Sequence, residues 1–248
     1  MKLALASVCL LAVPALLLQA TSGVVSQSMS GCLFAMVPVA VVVLAPYIGS
    51  GVTEGDAVRS EGWRETTHLL APAAAGLAGA ALLLSFALPE SLREAGFDAM
   101  VVAAVAGVAV ASIWMYRLLG EFSVIEACVV YCIANSLLFG VTVAISSVGG
   151  VGWVEGLGGK MLAVELAKAI FFELPQVLLL VWLLRVMAPA RFAARYLAVP
   201  LMMVLEGDVF MWPGLTVRLI CGFGLLVVGV WRLLTAEMPK GETLLMLP

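Results

Sequence analysis

Apolar residues run through this chain in long blocks, and polar residues gather in the short gaps between them. A helix that crosses a bilayer needs about 20 mostly apolar residues in a row. Eight blocks meet or approach that length: 3–18, 27–48, 69–88, 97–115, 124–146, 161–187, 192–209 and 215–234. The pattern predicts an all-α integral membrane protein of about eight transmembrane helices. One gap stands out. Residues 49–67 hold Glu54, Asp56, Arg59, Glu61, Arg64 and Glu65, and read as a charged loop. The first block also has the look of a secretory signal, with Lys2 ahead of an apolar core that ends at Leu18-Gln19-Ala20. Either reading leaves the direction of every later span unchanged.

Composition excludes a soluble protein. The chain is 63% hydrophobic and 12% charged, with a mean hydropathy of +1.14. Soluble domains are nearer half apolar and a quarter charged. The net charge of −3 says little, because placement outweighs sum in a membrane protein; the expected partners are the lipid bilayer and a small solute, with no nucleic acid. Placement is informative. With the N-terminus in the cytoplasm, the cytoplasmic segments hold Lys2, Arg59, Arg64, Arg117, Arg185, Arg191, Arg195, Arg232 and Lys240, while the opposite side holds Arg93, Lys160 and Arg218. The excess predicts both termini inside. Cys9, Cys32, Cys128, Cys132 and Cys221 all lie in apolar runs, and their odd number implies no disulfide framework. Cys128 and Cys132 share a helix face, but His68, the only histidine, lies far away in sequence. Packing is the expected use of these thiols, with no metal site and no cofactor.

The second and seventh blocks look alike. "FAMVPVAVVVL" laid over "YLAVPLMMVLE" matches Phe34 with Tyr196, Val37 with Val199, Pro38 with Pro200, Val39 with Leu201 and Val42 with Val204. Each proline falls near the centre of its span. Further on, "AAAGLAGAALLL" (73–84) matches "LICGFGLLVVGV" (219–230), glycines followed by aliphatics. The two proline spans lie five crossings apart and so run in opposite directions. Repeats of opposite direction mark secondary transporters.

These segments carry a family resemblance. Residues 188–234 resemble the closing two helices of the EamA-like proteins of the drug/metabolite transporter superfamily: small residues, a proline in an apolar centre, a glycine-acid step at Gly207-Asp208, a short loop, then a helix with spaced glycines. Residues 22–46 look like the corresponding helix of the first half. The resemblance implies an inverted-repeat bundle in a bacterial plasma membrane, transporting a small metabolite or drug-like solute by alternating access with ion coupling. Two departures accompany it. The family is built of five plus five helices, whereas residues 1–96 supply three spans of a first repeat, 97–234 a complete second repeat of five, and 235–248 a cytoplasmic tail. The missing pair would precede Met1. The charged insert 49–67 stands where the family has a tight turn. Two copies pairing as a homodimer would be one way to complete a ten-helix unit.

Charged groups inside a span are costly, by about 2.5–3.5 kcal/mol on insertion scales, and are functional candidates by default. The sixth block holds Glu165, Lys168 and Glu173, which fit one helix face about 140° wide. That face is expected to look into the bundle. Glu173, the deepest, is a candidate proton or cation carrier, and Lys168 a binder of anionic solute or a counter-ion. The alternative is a Glu165–Lys168 ion pair, with Glu173 bonded to a neighbouring helix. Gln176 follows on the same segment. Pro175 frees a carbonyl one turn back and, with Pro38 and Pro200, marks an expected helix bend. Asn135, at the centre of the fifth block, either holds helices together or contacts solute. Trp114, Tyr116 and His68 read as interface anchors.

An enzyme is not expected. No G-x-x-x-x-G-K-[ST] motif for ATP appears. A lone interfacial His68 cannot serve a serine protease buried in the membrane. Glu206-Gly207-Asp208 lacks the first glycine of the aspartyl type. Two classes stay open: a secondary transporter, or a non-transporting relative acting as a membrane partner or structural subunit.

Overall fold

The hydrophobic blocks become helices in the computed structural model, which describes residues 1–21, 25–49, 56–84, 91–148, 164, 167–211 and 216–236. In chain order these are α1 (Lys2–Leu10), α2 (Ala12–Thr21), α3 (Gln27–Phe34), α4 (Val37–Gly49), α5 (Asp56–Leu84), α6 (Leu92–Leu118) and α7 (Val124–Val148), then a π turn (Ala169–Glu173), α8 (Leu174–Val186), α9 (Pro189–Ala193), α10 (Arg195–Met211) and α11 (Val217–Thr235). Among the described residues there is no strand. Several starts follow the ordinary chemistry of orphan amide groups. Ser26, Ser91 and Thr216 accept from the N–H three residues on, at 3.1, 3.2 and 3.4 Å. Ser123 and Glu126 cap each other's amides reciprocally ahead of α7.

Among the described residues, five helical stretches are long and apolar enough to cross a membrane: Lys2–Thr21, Ser28–Ile48, Leu92–Leu118, Val124–Thr142 and Val217–Thr235. They coincide with the first, second, fourth, fifth and eighth apolar blocks. The third block contributes a shorter apolar helix, His68–Leu84. The sixth and seventh are helical in α8 and α10 but fall short of that length among the described residues. The stretch 49–67 corrects the sequence reading. From Asp56 onward it is helix, continuous with the apolar part of α5. Charge keeps a segment out of an apolar core but does not oppose helix, and Ala, Arg and Glu are among the better helix formers.

Two packed regions organise the bundle. In the larger, α6 runs between α1, α2 and α4. Its small and β-branched side chains Val101, Ala104, Val105, Val108, Ala111 and Ser112 are all buried. In the smaller, α5 and α11 make the broadest helix contact in the molecule. Small residues explain its closeness. A Cβ on Gly79 would stand 2.6 Å from the Leu226 amide nitrogen, and one on Gly229 would stand 2.7 Å from the Gly76 nitrogen. Backbone thus meets backbone, which is how membrane helices gain dispersion energy where water cannot drive them together. The outward side of α11 is apolar and exposed at Val217, Ile220, Val228 and Trp231, as a lipid-facing surface requires.

The prolines act in three different ways. Pro38 has no N–H for the Phe34 carbonyl, and the chain breaks just before it. Met36 bonds tightly to Leu33 at 3.0 Å, and α4 begins at Val37. Pro175 is preceded by the π turn, whose wider ring carries the Leu174 N–H back to the Ala169 carbonyl and so accommodates the proline. Pro200 breaks nothing: α10 runs through it, and the interruption lies earlier, at Ala194.

The glycine contact gives a direct test. Gly229→Ala is expected to destabilise by about 1–3 kcal/mol, because backbone cannot yield to the added methyl. Gly224 differs, since a Cβ added there would have nothing within 4 Å. Gly224→Ala is therefore expected to be neutral or stabilising by up to about 1 kcal/mol. Thermal unfolding midpoints in detergent check both.

Candidate functional site

The charged stretch of the sixth block does not face inward. Lys168, Glu173 and Gln176 are exposed, as are Phe171 and Phe172 between them. The segment packs against the core from Val177 and Leu180 onward, and is fully buried at Val181 and Leu184. The expectation of an inward acid is therefore corrected for Glu173: a shared helix face fixes which residues lie together, not which way they look. Glu165 lies outside the described residues.

Asn135 is buried, and backbone engages both atoms of its amide. Its Oδ1 accepts from the Ala12 N–H at 3.2 Å. Its Nδ2 donates to the Tyr131 carbonyl at 2.8 Å and to the Ser7 carbonyl at 3.5 Å. Pro14 explains why Ala12 needs it. The proline ring crowds the carbonyl four residues back, and the helix breaks at Leu11, which leaves the Ala12 amide without a helical acceptor. Of the two uses open to Asn135 in the sequence, these bonds belong to holding helices together. Ser7 donates back to the Leu3 carbonyl at 2.8 Å and Ser112 to that of Val108 at 2.7 Å. The buried hydroxyls are therefore internally satisfied as well.

Sequence reasoning missed the group with the most distinctive chemistry. Arg195, counted there only among the cytoplasmic positive charges, is half-buried among aromatic rings. Ala188 takes the extended conformation that a residue before proline must take, and α9 starts at Pro189. The break at Ala194 then sets Phe192, Arg195 and Tyr196 around one turn. The Arg195 guanidinium carbon lies 3.9 Å from the centroid of Phe192 and 4.7 Å from that of Tyr196. Its Nη2 donates to the Tyr196 hydroxyl at 2.7 Å. Tyr196 stacks on Phe34 of α3, with centroids 6.1 Å apart and planes 26° apart. Buried Tyr131 of α7 is within electrostatic reach of both Arg195 and Tyr196. Ring faces attract a guanidinium, the more so where water is excluded. A guanidinium is thus oriented by two ring faces and one hydroxyl, with donors left over for an anionic group. The signal in the sequence was "RFAARY", which sets Arg195 beside Tyr196 and three residues after Phe192.

Other arginines close helix ends. Arg117 donates to the Ile48 carbonyl at 3.0 Å, at the end of α4. Arg218 donates to the Leu82 carbonyl near the end of α5. Arg191 donates to the Ala236 carbonyl just past α11. Each meets a carbonyl that a helix terminus leaves unpaired. Cys128 and Cys132 lie one helical turn apart on α7. Among the described residues no cluster of three or more His, Cys, Asp or Glu side chains is placed to hold a metal ion.

This arrangement of helices occurs in a solved crystal structure. That structure is described only as a protein. It aligns with a TM-score of 0.65 and 17% sequence identity over 94% of this chain and 75% of the other. At that identity the likeness concerns the fold alone. No family model matches the chain, and no curated protein matches it in sequence.

Removing the Asn135 amide should expose its structural work. Asn135→Leu strands a buried Ala12 N–H and is expected to cost about 1–3 kcal/mol. Ser136→Ala, at the exposed neighbouring position, is expected to leave the unfolding midpoint in detergent unchanged.

Proposed function

We propose that this chain is a secondary transporter of a small solute, working by alternating access between two halves that cross the membrane in opposite directions. One observation carries the reading. Phe34 and Tyr196, matched to each other by the sequence repeat, stack ring on ring. Two equivalent positions meet only on the axis that relates the halves, so the contact is what an inverted repeat requires. A second pattern supports it. The repeat matches Gly76 with Gly222 and Leu83 with Gly229. The close pairs Gly76–Gly229 and Leu83–Gly222 exchange into one another under that matching.

Eight alternating passes are supported by the arginine contacts. Counting the sixth and seventh blocks as crossings, Arg117–Ile48 and Arg191–Ala236 each join two ends on one side, and Arg218–Leu82 joins two ends on the other. By the positive-inside tendency the first side is the cytoplasm. In this reading the Phe34–Tyr196 pair closes the path between the halves, and Arg195 beside it attracts an anionic group of the solute. The breaks at Ala35–Met36 and Ala194 let α3–α4 and α9–α10 bend as the halves rock.

The experiment is uptake into proteoliposomes from a panel of organic anions, amino acids and cationic dyes. At least one anionic solute is expected to accumulate above protein-free liposomes. Arg195→Gln is expected to lower that uptake at least about tenfold, in line with loss of a charge-assisted contact, while Arg195→Lys retains part of it. In a background without the five native cysteines, Phe34→Cys/Tyr196→Cys is expected to cross-link, to stop uptake, and to recover on reduction. Full-rate uptake by the cross-linked protein would sink the gating role. No uptake of any panel member would sink the transport reading.

A further inference from the structure

A groove opens between the start of the apolar part of α5 and the end of α11, lined by His68, Leu69, Pro72, Val228, Arg232 and Thr235 among others. Its position along both helices is fixed. The apolar part of α5 begins at His68, and the apolar span of α11 ends at Thr235. Both helices therefore pass from polar to apolar surroundings at the mouth of the groove. Exposed Trp231 stands at the same level, where aromatic rings anchor to a membrane interface. The two helices are pinched together deeper in, where Gly229 meets Gly76 and the Pro72 carbonyl, and the groove is the wedge left as they part.

Its chemistry is graded along its length. Arg232, His68 and the Thr235 hydroxyl lie at the mouth. Leu69, Pro72 and Val228 follow toward the membrane interior. Among the described residues neither Arg232 nor His68 has a hydrogen-bond or ion-pair partner. A guanidinium always carries its charge and prefers a two-pronged phosphate partner. A cation at the headgroup level above an apolar channel matches one kind of occupant, an anionic group with an acyl tail.

We propose that this groove is a binding site for an anionic phospholipid, with the phosphodiester on Arg232 and His68 and an acyl chain along Pro72 and Val228. Basic pockets between membrane helices bind such headgroups. The site is separate from the Arg195 cluster and does not depend on the transport reading. It requires only that α11 crosses a bilayer.

Native mass spectrometry of the detergent-purified chain tests the proposal. The protein is titrated with dioleoyl phosphatidylglycerol and, in parallel, with dioleoyl phosphatidylcholine. A one-to-one adduct with phosphatidylglycerol is expected at about tenfold lower concentration than with phosphatidylcholine. Arg232→Gln and His68→Gln are each expected to remove that preference, and Arg232→Lys to keep most of it. Arg185→Gln, which changes an exposed arginine on α8, is expected to leave it intact. Circular dichroism and a monodisperse elution profile establish that each variant is folded. Equal binding of the two lipids, or an unchanged preference in folded Arg232→Gln, overturns the proposal. Displacement of phosphatidylglycerol by millimolar inorganic phosphate overturns it in favour of a soluble-anion site.

Discussion

Every backbone N–H and C=O inside a bilayer must find a partner within the protein, since lipid offers none. The rest of this structure follows from how that constraint is met where the sequence violates it. Pro14 interrupts the first span, and Asn135 from α7 supplies the missing acceptor. Pro38 interrupts the second, and a tighter turn at Met36 closes the gap. Pro175 is absorbed by a π turn. At the helix ends, Arg117, Arg191 and Arg218 each take a carbonyl belonging to another helix. The turn at Met36 and the π turn are local, but the bonds made by Asn135 and the three arginines each tie two distant segments together, so some defects of single helices become cross-links of the bundle. Among the described residues no buried side-chain nitrogen or oxygen is left without a partner.

That logic divides the molecule into stiff and jointed parts. α5 and α11 touch backbone to backbone through glycines and have little freedom to slide, because interlocked surfaces at that distance have one good register. α3–α4 and α9–α10 are different. Each is two helices with a break, at Ala35–Met36 and at Ala194, and the Phe34–Tyr196 stack lies beside both breaks. A stacked ring pair can part without leaving a polar group unsatisfied, whereas parting Asn135 from Ala12 cannot. Motion is therefore cheapest at the rings and dearest at the amide.

Much of this was legible in the sequence, and the limits are physical. Length and apolarity locate spans well, because lipid leaves few alternatives. Among the described residues, five of the eight blocks are helices of crossing length. Prolines announced irregularities at 38 and 175, yet the sequence could not say how each would be absorbed. At Pro200 the helix simply continued. The charged stretch before His68 resembles a loop only if charge is read as a break in structure, whereas from Asp56 onward the backbone is helix. Asn135 is marked by its depth, but its partner belongs to another span's defect, which only the fold brings together. The sixth-block acids and Arg195 are hard to judge for a common reason: the orientation of a charge depends on its neighbours in space. Glu173 sits within its apolar block in the sequence and is exposed in the fold. Arg195 counts in the sequence as one more cytoplasmic charge, and in the fold it stands among rings.

The position of Arg195 among aromatic rings has an energetic basis. A charge away from water survives only if other groups replace its hydration. Arg195 has two ring faces and a phenol hydroxyl in that role. It is also a group that stays ionised where a lysine or a carboxylate would tend to neutralise. Under the transport reading proposed above, such a charge suits attraction of an anionic solute better than proton carriage, and any ion coupling would belong to other residues. The two rings of the stacked pair differ in one atom that matters here: Tyr196 carries the hydroxyl that holds the guanidinium, and Phe34 has none.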